Sequence, residues 1–199
     1  MRENLEKSIV RTSAACAAGC DREMNAIIKA TRATLRPFKR NDVQSLRKNA
    51  NDRLVARNLN RLPSPYTLQD ARKFVYKKLR EQKQKKPQRT FVIDIGGNAA
   101  GVITLSRKED PWREHRAEVG YWLGRRYWGS GIMTEALRAI TRYGFYKLHL
   151  TRIHASVMVG NRASARILEK AGYKREGMAR KYIKKGRKYI DCYLYAKVK

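Results

Sequence analysis

The chain has 199 residues, 42% of them hydrophobic, with 46 Lys and Arg against 17 Asp and Glu and a formal charge of +29 at pH 7. That length fits one domain with its own core, the apolar share argues against disorder throughout, and no apolar run approaches the roughly 18 residues that a membrane-spanning helix needs. The charge either draws a polyanion such as nucleic acid, the ribosome or a phosphorylated cofactor, or forms a solvated basic surface.

Three cysteines, Cys16, Cys20 and Cys192, make a sparse and odd set. They argue against a secreted disulfide framework and for a reducing, cytoplasmic setting. Ala17 to Cys20 faintly resembles a lipoprotein cleavage site, but the apolar stretch before it is short and is broken by Arg11. Cys16 and Cys20 lack a second Cys/His pair at ligand spacing, so no metal is expected.

Residues 1–25 carry weak periodicity and read as a loosely ordered extension, leaving 26–199 as the domain. From Lys29 to Leu35 alternation predicts a strand, ended by Arg36-Pro37. Asn41 or Asp42 caps a helix with Val43, Leu46 and Ala50 on its apolar side. A second cap at Thr67, with Asp70 three residues on, opens a helix carrying Ala71, Phe74, Val75 and Leu79. Leu62 to Tyr66 is a loop and Lys83 to Arg89 a basic connector. Phe91 to Ile95 and Ala100 to Leu105 predict two strands joined across Gly96-Gly97-Asn98.

Ala117 to Leu123 alternates again, with Val119, Tyr121 and Leu123 on one face and Glu118, Gly120 and Trp122 on the other. Ile132 to Tyr146 is helical, with Met133, Leu137, Ile140 and Gly144 on one side. Ile153, Ala155, Val157 and Val159 mark a further strand. Asn161 to Ala171 predicts a short helix with Ala163, Ile167, Leu168 and Ala171 inward and Gly172 as its stop. A hairpin from about Arg180 to Val198 turns near Gly186. The predicted order is βααβββαβαββ, a mixed α/β sheet without internal repeats.

Chemistry concentrates in Arg126-Tyr127-Trp128-Gly129-Ser130-Gly131, between a predicted strand and a predicted helix. A glycine-bearing turn there exposes backbone N–H groups at the positive end of the helix dipole, which suits a pyrophosphate. Taken alone it also reads as an ordinary turn, and the usual dinucleotide and P-loop fingerprints are absent.

Arg126-x-x-Gly129-x-Gly131 matches the Q/R-x-x-G-x-G/A signature of the GNAT acetyltransferase superfamily. The surrounding AEVGYWLGRRYWGSGIMTEAL, and RIHASVMVGNRASARILEKAGYKREG after it, resemble the ribosomal-protein N-acetyltransferase (RimJ/RimL-type) branch. The likeness covers about residues 31–197. It implies a GNAT fold: a single mixed, mostly antiparallel sheet, flanked by helices and splayed between the fourth and fifth predicted strands.

The resemblance also implies a co-substrate and roles. Acetyl-coenzyme A would be held at its pyrophosphate by N–H groups of Arg126, Tyr127, Trp128, Gly129, Ser130 and Gly131. Backbone of Trp122, Leu123 and Gly124 would pair with its pantetheine arm, and a strand N–H at the splay would stabilise the oxyanion. Asn161 commonly touches the cofactor in this family; its other reading is a helix N-cap. Glu118 stands where histone-acetylating relatives carry a catalytic glutamate, and is either the general base or a structural carboxylate beside Arg116 or Arg125. Many family members use a tyrosine seven residues after the asparagine as the acid, but this chain has Leu168 there. Ser164 matches a serine used in the RimL-like branch and is the substitute acid, or else a polar residue of the first helical turn.

The implied reaction moves acetyl to a primary amine, with a protein N-terminus favoured as acceptor, ribosomal protein or otherwise, and RNA or ribosome docking through the basic surface. A small-molecule amine acceptor and a non-catalytic RNA-binding scaffold are the alternatives. His154 alternates on its strand and reads as a structural group or one that reaches the cleft. Tyr189, Tyr193 and Tyr195 fall on one face, as packing rather than as a base-stacking platform.

Overall fold

The computed structural model describes residues 26–60, 62–84, 86–107 and 110–199. The extension expected over residues 1–25, with Cys16 and Cys20, lies outside them. Instead of one strand over 29–35, two short ones form, Ile28–Lys29 (β1) and Thr34–Arg36 (β2). They pair antiparallel about a turn in which the Ala30 N–H donates to the Ala33 carbonyl at 2.9 Å. Arg36 is buried, and its guanidinium is satisfied from two sides, by Asp42 at 2.7 and 2.9 Å and by Asp94 at 2.6 Å. A buried cation tolerates that position only because it is paired so fully.

Asp42–Ala50 (α1) buries Val43, Leu46 and Ala50 as expected; the Asp42 carboxylate accepts the Lys39 N–H at 2.7 Å. Arg53–Arg57 (α2) is a short helix that the periodicity does not announce, capped by Asp52. Leu68–Gln82 (α3) opens with the expected capping box between Thr67 and Asp70. Thr90–Ile95 (β3) and Asn98–Ser106 (β4) form the hairpin about Gly96 and Gly97, both at positive φ.

Arg116–Leu123 (β5) leads to Ile132–Tyr146 (α4), then Arg152–Met158 (β6), Arg162–Lys170 (α5), Lys174–Lys185 (β7) and Lys188–Val198 (β8). Val159 falls past the end of its strand, and Ala163 is exposed on α5 rather than inward. The last hairpin begins at Lys174, six residues earlier than its charge-rich sequence indicates.

The eight strands make one sheet in the order β1-β2-β3-β4-β5-β6-β8-β7, every pair antiparallel except β5 with β6. Helices α1 and α3 cover one face around Phe38, Leu46, Val75, Val92 and Val102. Helices α4 and α5 cover the other, where Leu137, Ile140, Ile153 and Leu168 are fully buried; each such side chain contributes about 1.5–3 kcal/mol. Gly144 lets α4 lie close on the sheet, since a Cβ there would stand 2.8 Å from Ile153 Cδ1.

The site is positioned by an interruption in this sheet. The β5–β6 register holds only Arg116 to Glu118 against Arg152 to His154, after which the strands part. This is the splay expected between the fourth and fifth predicted strands, renumbered because the first of them is two. Among the described residues no helix is long and apolar enough to cross a membrane.

Candidate acetyl-transfer site

An open cleft of about 1530 Å³ runs through the gap between β5 and β6, from the N-terminus of α4 to α2, α3 and the β7–β8 hairpin. Its α4 end is made of backbone. Gly124 continues β5 by donating to the Ala100 carbonyl at 2.8 Å, and a 3₁₀ turn over Arg125–Tyr127 follows. The amides of Tyr127 and Trp128 are spent inside that turn, on Gly124 O at 2.9 Å and Arg125 O at 3.0 Å. They are therefore not donors to a phosphate, a narrower set than the motif implies. Those of Gly129, Ser130 and Gly131 have no acceptor among the described residues.

Gly129 and Gly131 take φ of +77° and +80°, conformations that cost a side-chain-bearing residue about 1 kcal/mol or more. A Cβ at Gly129 would meet nothing within 4 Å, so the space over the loop is open. Gly131 opens α4 with no side-chain cap, leaving the first helical N–H groups available to an anion. Ser130 Oγ donates to Tyr127 O at 2.7 Å and Trp128 Nε1 to Leu123 O at 2.7 Å, which fastens the loop to the strand.

Arg32, in the β1–β2 turn, was not singled out by sequence. Its side chain donates to the Ser130 carbonyl, and its backbone N–H donates to Glu135 Oε2 at 3.0 Å. Its Nε stands 3.5 Å from Glu135 Oε1, so the one carboxylate in the first turn of α4 is neutralised where an incoming phosphate would otherwise meet it.

Along the gap, the Gly124 amide is committed to β4, and strand alternation turns those of Tyr121 and Leu123 the other way, toward the missing neighbour. Trp122 alternates with Leu123 and lines the cleft with its side chain rather than its amide. Glu118 Oε1 accepts Ser156 Oγ at 2.8 Å across the last rung, in register with His154. Burial pushes the His154 imidazole below its ordinary range, with Glu118 opposing. Its Nδ1 is buried with no partner among the described residues.

On the opposite wall Asn161 caps α5, its Oδ1 accepting the Ser164 N–H at 3.2 Å, so the cap reading holds while its amide nitrogen stays free. Ser164 Oγ lies 2.8 Å from Tyr121 Oη. Burial raises that phenol to about 12, against the lowering effect of the Ser164 bond. Sequence reading put Tyr121 only on a strand face; its tie to Ser164 spans 43 positions and has no local signal. Leu168, where the family's usual tyrosine would stand, is fully buried in the core.

The far end is a wall of side chains: Val55, Leu59, Tyr66 and Phe74 face Tyr182 and Ile183 of the hairpin. Lys185 closes it, its Nζ donating to the carbonyls of Ala56, Arg57 and Leu59 at 3.1, 2.9 and 2.9 Å. Among the described residues no group of three His, Cys, Asp or Glu could hold a metal ion.

A family model described as an acetyltransferase (GNAT) domain matches residues 32–174. The chain belongs to the GNAT acetyltransferase family. The GNAT chain is 38% identical over 69 residues to the ribosomal protein uS5-alanine N-acetyltransferase of Escherichia coli, 35% of this chain and 36% of that one. Two further curated relatives are matched over only 47% and 38% of their own lengths. A GNAT-family acetyltransferase structure from Bacillus anthracis superposes with a TM-score of 0.76 at 29% identity, covering 86% of this chain and 98% of that one. RimL, the ribosomal L7/L12 α-N-protein acetyltransferase solved with coenzyme A, gives 0.75 at 22% identity over 86% and 97%. That likeness is one of fold.

Proposed function

We propose that residues 26–199 act as one catalytic unit that transfers acetyl from acetyl-coenzyme A to a primary amine, the favoured acceptor being a protein N-terminal α-amino group. The observation that carries this is the pairing of a sheet parted after Glu118 with free amides at Gly129–Gly131 on an uncapped helix N-terminus. Those amides grip a diphosphate, and the Tyr121 and Leu123 edges align an amide-bearing arm in the gap. The uS5-alanine enzyme, named for a protein acceptor, supports the acceptor class.

Two protons must move when an amine displaces a thiolate, one off the nitrogen and one onto the sulfur. Glu118, on the acceptor side and steadied by Ser156, takes the first directly or through water. Ser164, oriented by Tyr121, gives the second to the leaving sulfur. The Tyr121 N–H faces the place where the carbonyl oxygen gains charge. An α-amino group, with pKa near 8, needs far less help than a lysine near 10.4. A soluble, cytoplasmic protein that docks on ribosomal RNA through its +29 charge fits this reading.

Titration calorimetry with acetyl-coenzyme A, followed by mass spectrometry of an N-terminal peptide library, tests it. One-to-one binding and a 42 Da gain on α-amines are expected, the mass being that of acetyl replacing hydrogen, about as general chemistry dictates. Absence of binding at saturating cofactor overturns the enzyme reading. Acetylation of free small amines alone moves the acceptor to a small molecule.

A further inference from the structure

The charges lining the cleft that holds Glu118 are arranged in a way that amine transfer by itself does not require. Lys73 and Lys77 stand four residues apart on α3, both exposed and both lining the cleft. Like charges at that spacing on a helix repel; Asp70, three residues before Lys73, offsets that lysine in part, while Glu81 is held by Lys78 at 2.7 Å. Across the floor, Arg116 lines the same cleft from the first β5–β6 rung, two residues before Glu118. None of the three makes a hydrogen bond or ion pair among the described residues.

The acids nearby are already committed. Asp70 is occupied by the Thr67 N–H and hydroxyl at 2.9 and 2.6 Å, Glu118 holds Ser156, and Arg113 takes Asp110 at 3.0 Å. Among the side chains lining this part of the cleft, Lys73, Lys77 and Arg116 outnumber the carboxylates of Asp70 and Glu118, so the balance there is positive. Low-dielectric walls such as Phe74 and Trp122 concentrate that field.

Resting on the reading of the cleft as an N-terminal acetylation site, we propose that its acceptor is an acidic protein N-terminus, whose Asp or Glu side chains just after the first residue meet Lys73, Lys77 and Arg116. The same charges favour the reactive form of the amine, because cations nearby disfavour an ammonium and leave the nucleophilic neutral nitrogen. An open cleft admits an extended chain, and its apolar wall accepts a first side chain. A nucleic-acid strand would meet the same lysines, but Glu118 and the apolar residues beside them suit a peptide better than a row of phosphates.

Peptides sharing one first residue and differing in the next four, acidic, neutral or basic, separate these cases. Initial rates are measured at low and high salt on the wild-type chain and on the double variant Lys73→Glu, Lys77→Glu. Acidic peptides should have the highest kcat/KM and basic ones the lowest, with steps of about tenfold at low salt that narrow as salt rises. The double variant should bind acetyl-coenzyme A unchanged and reverse the order. Equal rates across the panel, or an acidic preference that survives the reversal, overturn the proposal while leaving N-terminal acetylation standing. Acetylation of no peptide by a chain that binds acetyl-coenzyme A overturns both. Inhibition by a short RNA that vanishes in the variant, without an acidic preference, assigns the lysines to nucleic acid and overturns it too.

Discussion

The two ends of the cleft are made of different material. At the α4 end the lining is main-chain amides held by two glycines at positive φ, whereas at the α2–α3 end it is side chains drawn from segments far apart in sequence. A site built from backbone recognises what all its ligands share, and tolerates little change in its own residues. A site built from side chains carries the choice of partner and tolerates substitution one residue at a time.

That contrast breaks first at Gly131. Gly131→Val places a branched side chain at φ +80° and against Arg32, whose Nη1 already stands 2.8 Å from a Cβ there. Acetyl-coenzyme A affinity should fall by about 100-fold, equivalent to about 2.7 kcal/mol by calorimetry. Gly129→Val meets no neighbour but is strained by the same positive φ, and should likewise obstruct the phosphates. Wild-type affinity in both variants would show that the loop does not hold the cofactor.

Glu118→Gln comes next. It keeps a hydrogen-bond acceptor for Ser156 but removes the base, so kcat should fall by roughly 10²–10⁴-fold with cofactor affinity unchanged. Rates that recover as pH rises, when the amine arrives already neutral, would place the loss in proton removal; a pH-independent loss would make Glu118 structural.

Smaller effects are expected across the Tyr121–Ser164 bond. Tyr121→Phe and Ser164→Ala should each lower kcat by about tenfold, and the double variant by no more than either single one, because both break one 2.8 Å contact. Additive losses would separate the two groups.

These cases also divide what the sequence reveals from what it hides. Helix α4 was legible to its terminal residues because Met133, Leu137 and Ile140 repeat at helical spacing and Gly131 marks its start. Strand β5 was legible because its apolar residues alternate, and the splay followed from the family likeness rather than from any pattern. The turn at Ala30–Ala33 was hidden, since neither Gly nor Pro marks it and alanine alternation runs through it. Helix α2 is too short for periodicity to show. Arg32 with Ser130, and Tyr121 with Ser164, are contacts 98 and 43 residues apart that only the folded sheet creates. With Leu168 buried, the cleft's hydroxyl on α5 is Ser164, and the hydroxyl beside it, that of Tyr121, comes from the opposite wall.

The smallest effect concerns stability. An imidazole held below its ordinary 6.5 by burial binds its proton later in the folded chain than in the unfolded one. Acid therefore favours unfolding: His154 contributes no penalty above pH 6.5 and a growing one as pH falls below it. His154→Gln should flatten the fall in Tm between neutral and mildly acidic pH. An unchanged slope would show that other groups set it.

Lys185 gives the acceptor wall a mechanical character. One ammonium joins the tip of the final hairpin to carbonyls at and just past the end of α2, across 126 to 129 positions of chain. The two segments behave as a clasp with a single pin, so amide exchange at both should quicken in step when Lys185→Met draws it. If the proposed acceptor enters at that end, the width it meets there depends on that one nitrogen.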